Sequence, residues 1–249
     1  MSGGAFNDLT DVFESIIDWP RRLDHEAPFY RRLFDRVGVK SVVDIACGTG
    51  HHAAMFHSWR VHVEGVDISP NMIARARADF SEPSGLHWAV RRYDQPIQSG
   101  NAFDAAICVG NSLALAPDTA TAFEAIRQML AGVRRGGVAV VHMLNVWAMP
   151  DGPCVWQKGL RTALPDGPAL IIKGVHRCGS RAYIELLVNL LESDTKMRSA
   201  GVPFLGLEGA DLERVMREGG ADRVRVFGGY QDQTYDRQKS ADLVLVAEK

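Results

Sequence analysis

Apolar and polar positions along the chain follow two rhythms. Between Leu9 and Ile17 the apolar residues Leu9, Val12, Phe13, Ile16 and Ile17 recur at helical spacing, and Asp18-Trp19-Pro20 breaks the run. Residues 1–8 are small and polar and read as a frayed end. A second helix is predicted from near Asp24 to about Val37, with Phe29, Leu33, Phe34 and Val37 on one face and Gly38 as its left-handed stop. Beyond Gly38, short and almost wholly apolar runs alternate with helical ones. Strands are predicted over roughly 41–46, 61–67 and 86–91, then from Phe103, and over 138–144. The helices between them cover 51–58, a stretch from Pro70 through Ala78 with Ser69 as N-cap, and 119–133. Strands this apolar are buried on both faces, and their alternation with helices predicts a parallel sheet.

Residues 148–206 interrupt the alternation. The runs 169–176 and 182–191 are rich in β-branched and aliphatic residues, with Gly179-Ser180 between them. This predicts an antiparallel hairpin, with a third strand near Lys196–Phe204. The insertion suits either a cover over a site or an arm joining two copies of the chain. A last helix over 208–219 and strands over 224–227 and 242–247 complete the pattern.

Composition narrows the class. At 249 residues and 46% hydrophobic, the sequence suits one α/β domain over 1–249. A net charge of −2 and a pI near 6.4 give little means of neutralising many phosphates, which disfavours nucleic acid as the main partner. Cys47, Cys108, Cys154 and Cys178 are far apart, with no CxxC or Cys/His spacing, so no zinc site is expected. The start of the chain lacks the shape of a signal peptide, and no apolar run approaches bilayer-spanning length. The expected compartment is a reducing cytoplasm, with free thiols.

The candidate chemistry begins where the first strand, Val42-Val43-Asp44-Ile45-Ala46, runs into Cys47-Gly48-Thr49-Gly50 and a helix starts at His51. Two glycines around one small residue turn the backbone tightly and keep side chains out of a ligand's way. The helix N-terminus adds unpaired N–H groups and a partial positive charge. The second strand ends at Asp67, where a carboxylate can receive two ribose hydroxyls. The spacing Gly48-x-Gly50-x-x-Ala53 alone is shared by nicotinamide and flavin enzymes.

Asp44 within the strand, followed by Ala-Cys-Gly-Thr-Gly, resembles motif I of the class I S-adenosylmethionine (SAM) methyltransferases. The run Val66-Asp67-Ile68-Ser69-Pro70-Asn71-Met72 resembles their second motif. Ile107-Cys108-Val109-Gly110-Asn111-Ser112 and Trp19-Pro20-Arg21-Arg22 are similar to the glycine/sarcosine N-methyltransferase-like small-molecule group. The resemblance runs from about Trp19 to the C-terminus. It implies an α/β fold with a Rossmann-like seven-stranded methyltransferase sheet whose strand seven is antiparallel. N-terminal helices lie over the cofactor site in such a fold, and an antiparallel β cap is inserted after strand five, here 148–206. The cofactor implied is SAM, the product S-adenosylhomocysteine (SAH), and no metal takes part.

By the same resemblance, Arg22 grips the carboxylate of SAM's methionine part, for which a guanidinium fork is suited. Trp19 walls the pocket or packs. Asp44, Ala46, Cys47, Gly48 and Gly50 form the cradle, and Asp67 and Ile68 follow the second strand. Met72 touches the adenine or packs in the core. Val109, Gly110, Asn111 and Leu113 belong to the loop beneath the reactive methyl. Two positions depart from the pattern. After the third strand the family places an acid or amide for the adenine, often beside an aromatic residue. Here Arg91-Arg92-Tyr93-Asp94 offers Tyr93 as the aromatic and either a shifted Asp94 or no acid, with Arg92 or a backbone N–H as substitute. At the exit of strand five, Leu144 stands where the glycine enzyme places an arginine for the glycine carboxylate. An apolar residue cannot bind an anion, which argues against glycine as acceptor.

Methyl transfer from a sulfonium is an in-line displacement in which the protein mainly positions and desolvates the partners. An amine that arrives neutral needs no base, whereas a hydroxyl wants one. His142, Tyr30, Tyr230 and His176 are base candidates by location alone, with packing as the alternative for each. Cys108 lies in an apolar strand and reads as packed rather than nucleophilic. The implied function is SAM-dependent transfer of a methyl group to a nitrogen or oxygen of a small-molecule acceptor. Two rivals stay open. One is a SAM-binding protein without catalysis. The other is an NAD(P)-dependent reductase, for which Tyr235-x-x-x-Lys239 offers a Tyr-x-x-x-Lys pair just before the last strand.

Overall fold

A computed structural model describes residues 10–97, 102–192 and 197–249. The expected frayed end, Leu9 and Lys196 lie outside them. Helix α1 covers Thr10–Ile16 and α2 covers Trp19–Val37. The second helix thus starts at Trp19 rather than near Asp24. The Asp18 carboxylate accepts from the Arg21 N–H at 3.2 Å, and Pro20 sits in the first turn, where a missing N–H leaves no bond unmade. The triplet Asp18-Trp19-Pro20 therefore ends one helix and opens the next, and it places Trp19 and Arg22 on a helix. At the other end Gly38 (φ 71°) donates to the Phe34 carbonyl as a left-handed cap.

The central elements follow in the expected order: β1 (Ser41–Ile45), α3 (His51–Ser58), β2 (His62–Asp67), α4 (Pro70–Phe80), β3 (Leu86–Val90), β4 (Phe103–Cys108), α5 (Thr119–Gly132) and β5 (Val133–Leu144). Strand β5 reaches back to Val133 through a register shift against β4, five residues before the expected start. The chain then makes the insertion, β6 (Val155–Trp156), β7 (Leu160–Leu164), β8 (Gly167–Cys178), β9 (Arg181–Leu190) and β10 (Met197–Leu205). It closes with α6 (Gly209–Glu218), β11 (Arg223–Phe227) and β12 (Asp242–Glu248).

Seven strands form the main sheet in the order β11-β12-β5-β4-β1-β2-β3. All pairs are parallel except those of β12, which runs antiparallel to β5 and to β11. Successive strand residues feed two cores. Val138 and Val140 pack with Phe29, Leu33, Phe56 and Ile73 of α2, α3 and α4. Ala139, Val141 and Met143 pack with Ile126, Met129 and Leu212 of α5 and α6. This two-sided burial is why the strands read as unbroken apolar runs.

The insertion holds five strands rather than three, because β6 and β7 are short, largely exposed segments that both pair with β8. One face of its sheet carries Ile171, Ile184, Leu186, Val188, Val202 and Phe204, which join the core that contains Met143 and Val146. No described helix is long and apolar enough to cross a membrane.

Candidate active site

A cavity of about 510 Å³ opens at the C-terminal ends of β1, β2 and β4 and reaches under the insertion. Its floor is the glycine turn. Asp67 organises that turn: one carboxylate oxygen accepts from the Gly48 N–H at 2.9 Å and the other from the Ser69 N–H at 2.8 Å. Burial pushes the Asp67 carboxyl up, and these backbone N–H groups oppose the push. Gly50 lies outside the cavity. With φ at 89°, its missing Cβ leaves room for Trp88, whose ring would stand 2.5 Å from such an atom. Its part is to let the turn close on the core, not to face a ligand.

Asp44 is buried within β1 and lines the cavity, and its Oδ2 has no hydrogen-bond partner. Burial, followed by repulsion from Asp67, raises its carboxyl to about 8. An orphaned buried carboxylate oxygen fits a ligand that brings a cation. Across the cavity Arg22 stands on α2. Its Nε donates to Glu26 at 2.8 Å, and its guanidinium lies 5.1 Å from the Trp19 ring centre. Burial alone would raise Glu26, but His52 at 2.7 Å and Arg22 hold its carboxyl at about 2. His52 is pushed down by burial and stays a neutral donor to Glu26.

Arg22 lies against Gly110. A Cβ there would meet its Nη2 at 3.2 Å, and φ is 73°. The turn after β4 is held in place by β5. Asn111, also left-handed with φ at 74°, accepts at Oδ1 from the Leu144 N–H at 2.6 Å. The Gly110 N–H donates to His142 Nδ1 at 3.2 Å, so Nε2 carries the ring proton and donates to Asp242 at 3.2 Å. Both ring nitrogens of His142 are therefore occupied, and it serves as a brace between β4 and β12 rather than a free base. Tyr30 is fully buried outside the cavity, and its hydroxyl bonds that of Tyr230 at 3.3 Å. Tyr230 reaches the lining. Burial pushes both phenols well up, which removes them as bases at neutral pH. His176 is on β8, outside the cavity.

Of the other expected cofactor residues, Trp19, Ala46, Cys47, Gly48, Ile68, Met72, Arg92, Tyr93, Val109, Gly110 and Asn111 are brought together in the lining. Leu113 is not: it is fully buried in the core behind the turn Ser112–Leu115. Arg92 forks onto both oxygens of Asp94 at 2.8 and 2.7 Å, so the two neutralise each other at this rim. Cys108 is buried and outside the cavity, and burial raises its thiol.

Several lining groups escaped the sequence. Glu14, on α1, takes hydrogen bonds from Trp19 Nε1 (3.1 Å) and from the Thr49 hydroxyl, and meets His51 Nε2 at 3.1 Å. Trp19 stacks on His51 at 4.1 Å. Helix α1 is thereby fastened over the glycine turn, and Phe13 and Ile16 face the cavity. Lys173, Ile184, Val202 and Phe204 reach it from the insertion. No motif marks these residues, although a polar residue on the apolar face of a strand was a signal at Lys173. Tyr235 and Lys239 do not form a reductase pair. The Tyr235 hydroxyl donates to Asn145 at 3.1 Å, and Lys239 is exposed beside Asp236. No cluster suited to a metal ion occurs among the described residues.

A profile described as "Methyltransferase domain" matches residues 42–137. The chain is 29% identical over 259 residues to a glycine/sarcosine N-methyltransferase of Parasynechococcus marenigrum, covering 97% of this chain and 83% of that protein. It is 30% identical over 147 residues to the glycine N-methyltransferase of Oryctolagus cuniculus, a match spanning 51% of this chain and 50% of the relative. Among solved structures, a sugar N-methyltransferase from Streptoalloteichus sp superposes with a TM-score of 0.71 at 23% identity, covering 90% of this chain and 87% of that one.

Proposed function

The chain is a class I SAM-dependent methyltransferase, and from that premise we propose that it methylates an amine nitrogen of a small-molecule acceptor other than glycine. The observation that carries this reading is the continuity of the cavity. It runs from Gly48 and Asp67, past Gly110 and Asn111, to Ile184, Val202 and Phe204 of the insertion, which we read as the cap over the acceptor. The residues present fit the cofactor. Asp67 keeps lone pairs for a diol, Arg22 binds Glu26 through Nε and has its other N–H groups for a carboxylate, and Asp44 has an oxygen to give to an ammonium. SAM, when bound, supplies a methyl group already activated on a sulfonium. The chain's own residues then position the acceptor and exclude water.

Nitrogen is favoured over oxygen because, of the four base candidates, His176 is outside the cavity and the other three are engaged. His142 has no free nitrogen, and the Tyr30 and Tyr230 hydroxyls face each other. An amine that enters neutral needs none of them. Leu144 in the lining gives a glycine carboxylate no partner at that position. The names of the relatives, an amino-acid and a sugar N-methyltransferase, lend support to an amine. The four unpaired cysteines support a cytoplasmic location. The exposed Trp156 and Met197 on the insertion support a homodimer through that sheet.

The test has two stages. SAH stabilises the protein in a thermal melt, NADPH does not, and Asp67→Ala loses the SAH effect. A screen of amines, amino sugars and hydroxylated metabolites, read as SAH release, then finds turnover among the amines. Stabilisation by NADPH instead of SAH would refute the enzyme class. Turnover confined to hydroxyl acceptors would refute the choice of nitrogen.

A further inference from the structure

On the inward face of the insertion sheet, Lys173 is the charged residue that reaches the cavity; Arg177 and Arg198 share that face by register, but are paired with Asp151 and Asp166. On β8 the alternate residues Ala169, Ile171, Lys173, Val175 and Arg177 share this face. Lys173 is opposite Leu186 of β9, and Leu186 is opposite Ala200 of β10. A lysine in this setting loses hydration and rotamer freedom, and strands with one buried face place lysine on the other. Lys173 nevertheless lines the cavity, with Ile184, Val202 and Phe204.

The arginines of the lining each have an acid beside them, although Arg91 keeps one buried Nη2 without a partner. Arg22 pairs with Glu26, Arg91 with Glu64 at 2.9 Å, and Arg92 with Asp94. Lys173 has no ion pair among the described residues. Glu185, the acid adjacent to its cross-strand neighbour, projects from the opposite face of the sheet, where it meets His176 at 3.4 Å and backs onto Gly201. Burial, with no opposing carboxylate, pulls the Lys173 ammonium below its ordinary value.

We infer that Lys173 is the anchor for an acidic group, carboxylate or phosphate, on the acceptor. This rests on the methyltransferase reading and deepens it: the acceptor combines an amine with an anion. The resemblance places the anion-binding residue of the glycine enzyme at the exit of strand five, where this chain has Leu144. The structure supplies a cation elsewhere in the same cavity, on the insertion. An anion held there leaves the amine end of the same molecule inside the cavity that Gly110 and Asn111 also line. The apolar flanks make the ion pair stronger than it would be in water.

Matched pairs of acceptors test the inference: β-alanine against β-alaninamide for the carboxylate, and glucosamine 6-phosphate against glucosamine for the phosphate. Wild type, Lys173→Met and Lys173→Arg are compared. The acidic member of one pair is expected to exceed its neutral partner by about 10-fold or more in kcat/KM. Lys173→Met erases this preference through KM, Lys173→Arg keeps most of it, and SAH stabilises all three proteins equally. A neutral member used as well as its acidic partner, or a preference that survives Lys173→Met, overturns the inference. If no pair is turned over, acetate and inorganic phosphate are titrated into the SAH complex by calorimetry. Saturable binding lost in Lys173→Met supports the anchor; no binding, or binding unchanged in the variant, overturns it. Absence of SAH stabilisation in wild type is the separate result that brings down the methyltransferase reading, and the anchor with it.

Discussion

Replacing Asp44 with Asn keeps the shape of the side chain and removes its charge. In the ligand-free protein, burial and then the Asp67 carboxylate lift Asp44 from its ordinary 3.8 to about 8, so at neutral pH it holds its proton. A ligand ammonium beside the orphaned Oδ2 favours the ionised form. Binding of SAH at pH 6–7 should therefore release close to one proton from this group, and above about pH 9 none. Losing a charge-assisted bond of about 1.5–3 kcal/mol weakens SAH binding roughly 10- to 150-fold in Asp44→Asn. Stability follows the same linkage. Between about pH 4 and pH 8 the folded state keeps a proton that the unfolded chain has lost. The ligand-free protein therefore loses stability as pH rises through that window, by about 1.4 kcal/mol per pH unit, and the loss levels off above it. Asparagine removes this slope. Urea titrations at pH 6, 7 and 8 should show the variant gaining on wild type by about 1 kcal/mol per pH unit up to pH 8. Calorimetry of SAH binding in buffers of different ionisation enthalpy counts the protons. Equal proton release in the two proteins, or a stability difference that stays flat from pH 6 to pH 8, would refute the assignment of a protonated Asp44.

Two further perturbations probe the walls of the site. Gly110→Ala puts a Cβ 3.2 Å from the Arg22 guanidinium at a residue with φ of 73°; it should cost about 1–2 kcal/mol of stability and weaken SAH binding, read by melts with and without SAH. Glu14→Ala removes the shared acceptor of Trp19 and Thr49 and the neighbour of His51; hydrogen exchange in Thr10–Ile16 and the dissociation rate of SAH should both rise several-fold, by roughly 1 kcal/mol, with little change in the global unfolding midpoint.

The order of elements was readable because the strands of the main sheet are buried on both sides and interrupted by capped helices. Ser69 as N-cap of α4 and Gly38 as stop of α2 are local signals, and they stand where the pattern placed them. The start of α2 was misplaced because proline carries two local meanings, breaker and first-turn residue. Only the Asp18 cap separates them. Strands β6 and β7 escaped because short, exposed segments have no core-facing alternation to read.

The sequence by itself determined the strand-turn-helix that carries Asp44 and Gly48, with Asp67 one βαβ unit on, because its backbone demands are local. Tertiary structure alone decided what those residues are paired with. Gly50 and Leu113 belong to the right motifs, yet Gly50 backs onto Trp88 and Leu113 turns into the core. His142 looked available until Gly110 from β4 and Asp242 from β12 closed on its two nitrogens. Lys173 was one lysine in an aliphatic run until the sheet it lies in folded over the cavity. Such contacts join segments 30 to 100 residues apart, and no local pattern encodes a partner at that separation; it is the burial they share that brings them together and sets their charge.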